Sequence, residues 1–213
     1  MFLKKYMLYN NHDKKGDKMK LKDIAELQTG LVLNRKQATR PDEVKVKYKQ
    51  LNLKSVDSSG FINLEMLEDF ESKESLKREY FTRKGDIVVR LSYPYTAVII
   101  DEESENLLVP SHFVIIRCDQ KIIVPGYLGW LLNSDKMKKK ISLSTSTSAF
   151  GTIKQSFYSD LEIYSVPTEK QKILSEINRL SVKETMLLTE LKDEKQKYYE
   201  TLISKLQKEM RNK

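Results

Sequence analysis

The residues of this 213-residue chain whose types suit catalysis are few, and their spacing argues against it. Pro41-Asp42-Glu43-Val44-Lys45 has the residue types of a metal-dependent nuclease. The carboxylates of two-metal sites converge from neighbouring strands, which contiguous residues without intervening chain do not achieve. Ser92-Tyr93-Pro94-Tyr95 imitates the Asn/Asp-Pro-Pro-aromatic motif of methyltransferases only superficially. It lacks the Asn or Asp that would contact an amino group, and none of the five prolines neighbours another. No phosphate-cradling glycine loop is present. His12 lies in a polar N-terminal stretch and His112 has no Cys or Asp companion, so no metal-ligand set is visible. The chain is expected to be non-catalytic.

What remains is the chemistry of contact. A net charge of +8 favours an acidic partner, although 32% charged residues of both signs also describe an ordinary soluble surface. Lys and Arg facing phosphates set affinity for nucleic acid, whereas Arg, Lys, Asn, Gln and Ser reaching base edges from loops read sequence. Three segments offer those types. The first is Asn34-Arg35-Lys36-Gln37 with Arg40, two guanidinium groups mixed with two amides. The second is Arg90 with Ser92, Tyr93 and Tyr95, where a strand ends and aromatic rings become available for sugar or base. The third is the hydroxyl-rich stretch 144–151, with Thr147 and Ser148, followed by Lys154 and Gln155. Each has a plainer reading: Arg35 facing solvent, the tyrosines in the core, the Ser/Thr stretch a solvated linker. Lys136-Met137-Lys138-Lys139-Lys140 suits phosphate better than bases, and part of its charge is expected to offset the dipole at a helix C-terminus.

Residues 21–27 fit a short amphipathic helix stopped by Gly30 as its C-cap. Alternation over 47–53, the turn types Asp57-Ser58-Ser59-Gly60 and the run 61–64 predict extended chain. Ile87-Val88-Val89-Arg90-Leu91, 95–100 and 113–118 read as buried strands. A helix is predicted over 125–141, and short extended pieces at 153–154 and 161–163. Cys118 lies in the last buried strand, and one cysteine permits no internal disulfide, which suits a reducing cytoplasm. No apolar run approaches the ~18 residues of a membrane span, so no membrane partner is expected.

The last fifth of the chain organises the rest. Pro167 precedes the run, Thr168 is suited to capping it and Glu169 to its positive dipole end. No glycine or proline follows before Lys213. Ile173, Ile177, Leu180, Leu187 and Leu191 recur at four- and three-residue intervals, and Tyr198, Leu202, Leu206 and Met210 continue at four. Roughly forty helical residues at ~1.5 Å rise give a rod of ~60 Å, longer than a domain of this size can cover. The stripe is therefore expected to meet a partner helix rather than its own core, with Glu184 and Glu194 helping to fix register.

Several stretches in order carry a family resemblance: Leu21 to Gly30, Lys84-Gly85-Asp86-Ile87-Val88-Val89, Tyr127-Leu128-Gly129-Trp130-Leu131-Leu132-Asn133-Ser134, the Ser/Thr stretch, Leu161-Glu162-Ile163, and Pro167-Thr168-Glu169-Lys170-Gln171-Lys172-Ile173. Together they make the chain resemble the target-recognition domain and following helix of the specificity subunit of type I restriction-modification systems. Two departures stand out. Lys170 replaces the acidic or glutamine residue usual before Gln171, and the 92–95 turn lacks the family's frequent glycine.

The resemblance implies an α+β fold: a loosely ordered leader (1–18), a globular target-recognition domain (19–165) with a twisted mixed β-sheet and flanking helices, and one long helix (166–213) for antiparallel coiled-coil pairing. It implies a half-length subunit that homodimerises to read a split, symmetric double-stranded DNA target in the cytoplasm. Partners would be a methyltransferase subunit and a motor-nuclease subunit. S-adenosylmethionine, Mg²⁺ and ATP would sit on those partners. The alternative is a protein-protein adaptor that binds the complex without reading DNA.

Overall fold

The computed structural model describes residues 18–145 and 151–211. In chain order the strands are β1 (Lys18–Lys20), β2 (Ala25–Thr29), β3 (Val46–Gln50), β4 (Glu68–Ser72), β5 (Ile87–Arg90), β6 (Ala97–Ile99), β7 (Phe113–Cys118) and β8 (Glu162–Tyr164). The helices are α1 (Pro125–Asn133), α2 (Asp135–Thr145), α3 (Gln155–Ser159) and α4 (Thr168–Arg211). The architecture is α+β, with the long C-terminal helix where the sequence places it.

A four-stranded sheet in the order β2-β7-β5-β6 forms the centre, and all of its pairings are antiparallel. Two further pairs, β1-β8 and β3-β4, are antiparallel as well, so the expected single mixed sheet is three small ones. Among the described residues, parallel pairing is confined to the isolated bridges Leu31–Pro110 and Gln50–Leu108. Both faces of the central sheet are covered. Ile87, Val89, Val114 and Ile116 face one apolar cluster with Leu128, Leu132 and Ile141, while Val88, Val98, Phe113 and Ile115 face another with Leu51 and Val109. That double burial explains strands that are apolar at successive positions rather than alternately.

Four local expectations are corrected. Residues 21–27 make a single 3-10 turn (Leu21–Asp23) and then β2, because Ala25, Leu27 and Thr29 pair with β7 at the two-residue period of a strand. Gly30 does not cap a helix: a Cβ there would stand 2.2 Å from the Pro110 carbonyl oxygen, so the glycine permits two backbones to touch. The helix expected over 125–141 breaks at Ser134, whose backbone is extended. Its carbonyl accepts the Lys138 N–H at 2.9 Å and its hydroxyl the Met137 N–H at 3.3 Å, which starts α2 anew. At the long helix, the Pro167 carbonyl accepts the Gln171 N–H at 3.1 Å, placing Thr168 inside the first turn rather than at the cap.

Candidate nucleic-acid interface

Strand register brings three of the predicted segments to one end of the central sheet. Thr29 pairs with Val114, Arg90 with Phe113 and Val89 with Ala97, so the chain leaves or enters β2, β7, β5 and β6 there together. Main-chain bonds then stitch the loops. Gly30 N–H donates to the Phe113 carbonyl at 3.0 Å, Ser111 N–H to Leu31 at 2.9 Å, Leu91 N–H to His112 at 3.0 Å and Ile153 N–H to Leu91 at 2.8 Å. Backbone amides tied in this way hold loop positions without consuming side chains. Exposed on this end are Val32, Asn34, Arg35, Leu53, Lys54, Tyr93 and Lys154. Tyr93 is 80% exposed, although its ring meets Tyr95 edge-on at 6.2 Å.

Other sequence candidates support this surface rather than face outward. Arg90 directs its guanidinium to the carbonyls of Leu53 at 3.0 Å, Tyr93 at 3.1 Å and Val56 at 3.4 Å, and burial lowers its pKa. It therefore holds two loops and is not available to a base. Tyr95 is buried, with φ of 56°, and its hydroxyl donates to the Gly151 carbonyl. Gln155 donates from its amide to the Leu27 carbonyl at 2.7 Å and accepts from the Thr29 hydroxyl at 2.9 Å. Ser92 is half-buried and its carbonyl accepts the Tyr95 N–H at 2.8 Å. Thr147 and Ser148 lie outside the described residues, as do residues 1–17 of the leader.

The first segment divides. Asn34 and Arg35 sit exposed on a 3-10 turn beside the loop cluster. Lys36, Gln37 and Arg40 turn away toward the β3-β4 pair. Lys36 forms an ion pair with Glu74, Gln37 bridges to Ser72, and Arg40 pairs with Glu43 at 2.8 Å. Glu43 also accepts the Thr39 N–H and hydroxyl, and with Arg40 these hold its carboxyl below the usual range. The apparent nuclease carboxylate is thus engaged locally. Among the described residues no group of three His, Cys, Asp or Glu side chains stands together as a metal site.

Sequence reasoning missed Leu53, Lys54 and His112. The first two reach the cluster only because Arg90 binds the backbone of their loop, a tertiary contact with no local signature. His112 packs on Phe113 at 4.6 Å, and its Nε2 is buried without a hydrogen-bond partner among the described residues. Burial first, then the nearby Arg90, holds its pKa below the ordinary imidazole value.

The long helix is fixed to this domain by one face. Gln171, 4% exposed, accepts the Val124 N–H at 2.8 Å and donates to the carbonyls of Val166 at 2.7 Å and Ile122 at 3.3 Å. A Cβ at Gly126 would stand 1.8 Å from the Ser175 hydroxyl, so that glycine sets how closely α1 and α4 approach. Counted at ~100° per residue, Ile173, Leu180, Leu187 and Leu191 lie on the side opposite Gln171, Ser175, Asn178 and Val182. The apolar stripe accordingly stays bare: Ile173, Ile177, Leu180, Leu187, Leu191, Tyr198, Leu202 and Leu206 are all exposed. It is not core of its own domain. Among the described residues no helix is long and apolar enough to cross a membrane.

No protein-family model matches the chain, and no curated protein matches it in sequence. Solved structures do match in fold. A chain from a type I R-M system superposes with a TM-score of 0.62 at 14% identity, over 91% of this chain and 48% of that one. The HsdS subunit from Thermoanaerobacter tengcongensis superposes with a TM-score of 0.59 at 14% identity, over 92% of this chain and 49% of its own. The chain thus shares the fold of about half of each of these two chains.

Proposed function

We propose that this chain is a non-catalytic, sequence-specific DNA-recognition subunit of a type I restriction-modification complex, acting as a homodimer. The observation that carries this reading is the joining of two features in one chain: a stitched loop cluster with exposed amide, guanidinium, ammonium and phenol groups, and a helix whose apolar stripe has no partner among the described residues. The shared fold supports it, since one neighbour is named an HsdS subunit and another belongs to a type I R-M system. Because the chain spans about half of each neighbour, a second copy paired antiparallel through α4 would supply the other recognition domain. Two identical domains call for a symmetric, interrupted target. The methyltransferase subunit, and with it S-adenosylmethionine, would dock on the dimer, and the motor-nuclease subunit would bring Mg²⁺ and ATP. The reading places the complex in the cytoplasm.

The test is selection from a random-sequence duplex pool by the chain together with purified methyltransferase subunit. A split symmetric site should be enriched. Retained subunit binding with no enrichment would replace this reading by that of an adaptor.

A further inference from the structure

The lysines of α2 stand where helix formation gains nothing from them. The break at Ser134 places Lys136, Lys138, Lys139 and Lys140 in the first half of α2, not at a C-terminal end. Backbone N–H groups give a helix N-terminus partial positive charge, so cations there are disfavoured, and Asp135 is the single acid of the first turn. Crowding like charges adds to the cost. Several lysines elsewhere on the domain are paired with acids: Lys18 with Glu162, Lys22 with Asp160, Lys47 with Glu71, Lys49 with Asp69. Among the described residues no ion pair within 4.0 Å joins any of the four α2 lysines to a carboxylate, although Lys140 is near enough to Glu162 to help Lys18 hold that carboxyl below its usual range.

Their placement is directional. Met137, Ile141 and Thr145 are buried; at ~100° per residue Lys136 and Lys139 occupy the opposite side and Lys140 flanks Lys136 one turn on, all three exposed. At its other end, α2 brings the Thr145 hydroxyl within 3.5 Å of the Tyr95 hydroxyl, at the base of the loop cluster. The lysines therefore stand roughly 8–14 Å along the helix from that point, at ~1.5 Å per residue. That is a span of two to four base-pair steps at ~3.4 Å each. A membrane surface would require several exposed apolar side chains beside the lysines, and on α2 Leu143 is the only large one.

We propose that Lys136, Lys139 and Lys140 form a phosphate-binding ridge that holds the backbone of double-stranded DNA beside the loop cluster without reading its sequence. The proposal rests on the DNA-recognition reading above and assigns a second, separable surface to it. The ridge sets affinity and salt dependence, while the loops set sequence.

The experiment is fluorescence anisotropy with the full chain and methyltransferase subunit, on a duplex enriched by selection and on a random-sequence duplex, across salt concentrations. In the Lys136→Gln/Lys139→Gln/Lys140→Gln variant the slope of log K against log salt should become shallower by about 2–3. Affinity for both duplexes should fall together, the enriched sequence should stay the same, and thermal stability should not fall. Arginine at the same three positions should keep the parent slope. An unchanged slope in the folded Gln variant overturns the ridge while leaving sequence recognition standing. A parent chain with no sequence preference but a slope that depends on these lysines sinks the recognition reading and leaves the ridge. No binding of either duplex by the parent overturns both.

Discussion

Replacing Gln171 by methionine tests whether one side chain fixes the long helix to the domain. The two side chains have similar volume, so the exchange removes hydrogen bonds without opening a cavity. Three are removed, at 2.7, 2.8 and 3.3 Å, around a side chain that is 4% exposed. A hydrogen bond contributes about 1 kcal/mol net, and a buried donor or acceptor left unpaired costs about 1–3 kcal/mol. The Val124 N–H is most at risk, because it opens α1, where no side chain caps the helix. Counting the longest bond for little, the loss comes to about 3 kcal/mol. For a chain of this size that lowers Tm by about 6–12 °C. Thermal and urea unfolding of the two proteins measure it. Gln171→Glu adds a pH handle. The carboxylate keeps the acceptor for Val124 but faces the Val166 and Ile122 carbonyls, so its folded pKa must rise above the unfolded value of about 4.3. A raised pKa contributes stability that is fully present below the unfolded pKa and lost as pH rises through the folded one. The Glu variant should therefore gain on the Met variant between pH 7 and 4. A Met variant melting within about 1 °C of the parent would refute the anchoring role.

Aspartates at both Leu180 and Leu187, which are 52% and 50% exposed, should leave the domain folded and give monomers in sedimentation; a surviving dimer defeats pairing through this face. Gly126→Ala drives a methyl group into the Ser175 side chain and should cost about 1–3 kcal/mol by overpacking, in urea unfolding, with partial recovery when Ser175→Gly is added. Burial pushes the Cys118 thiol up to about 12, against an ordinary value of about 8.5, so its reaction with a disulfide reagent at pH 8 should be about 10³-fold slower in the folded chain than in urea; a native rate within tenfold would contradict that burial. Tyr93→Ala and Arg35→Ala should leave Tm unchanged while weakening binding to the selected duplex, and Arg35→Ala should also relax the preferred sequence at one position per half-site. An identical enriched sequence would remove Arg35 from the reading surface.

The parts of the molecule that were legible beforehand are those whose pattern has one physical solution. Ile87, Val88 and Val89 and the run from Phe113 to Ile116 are apolar at successive positions and short, which suits a strand covered on both faces. The α4 stripe had too many turns to be anything but helix. Ambiguity entered where two periods shared the same residues. Leu21, Ile24 and Leu27 satisfy a helical spacing, yet Ala25, Leu27 and Thr29 satisfy a strand, and the open edge of β7 decides between them. Ser134 did carry a local signal, a hydroxyl ahead of Asp135, but the apolar run on its N-terminal side and the lysines beyond it hid a cap inside what read as one helix.

At the candidate site, residue types were a better guide to neighbourhood than to role. Arg90, Tyr95 and Gln155 all stand at the loop cluster, and all three are consumed in building it, because long polar side chains near a sheet end find backbone carbonyls before they find solvent. The direction of the rod was wholly hidden. Gln171 binds next to Val124, beyond the Cys118 end of β7, whereas Val182 lies near Gly60 and Asn133, and Asn133 bonds both main-chain groups of Ala97 at the loop end, at 2.9 and 2.7 Å. Thus α4 crosses the domain from the end away from the loops toward the end that bears them, then runs on for roughly 44 Å more, at ~1.5 Å per residue. An antiparallel partner would carry its own loop cluster back along the same rod. The two clusters would then face one another, and their separation would follow from the register in which Leu180, Leu187 and Leu191 meet their counterparts. A one-heptad slip in that register would move the clusters by ~10 Å, about three base pairs, so in this reading helix register fixes the spacing of the two half-sites.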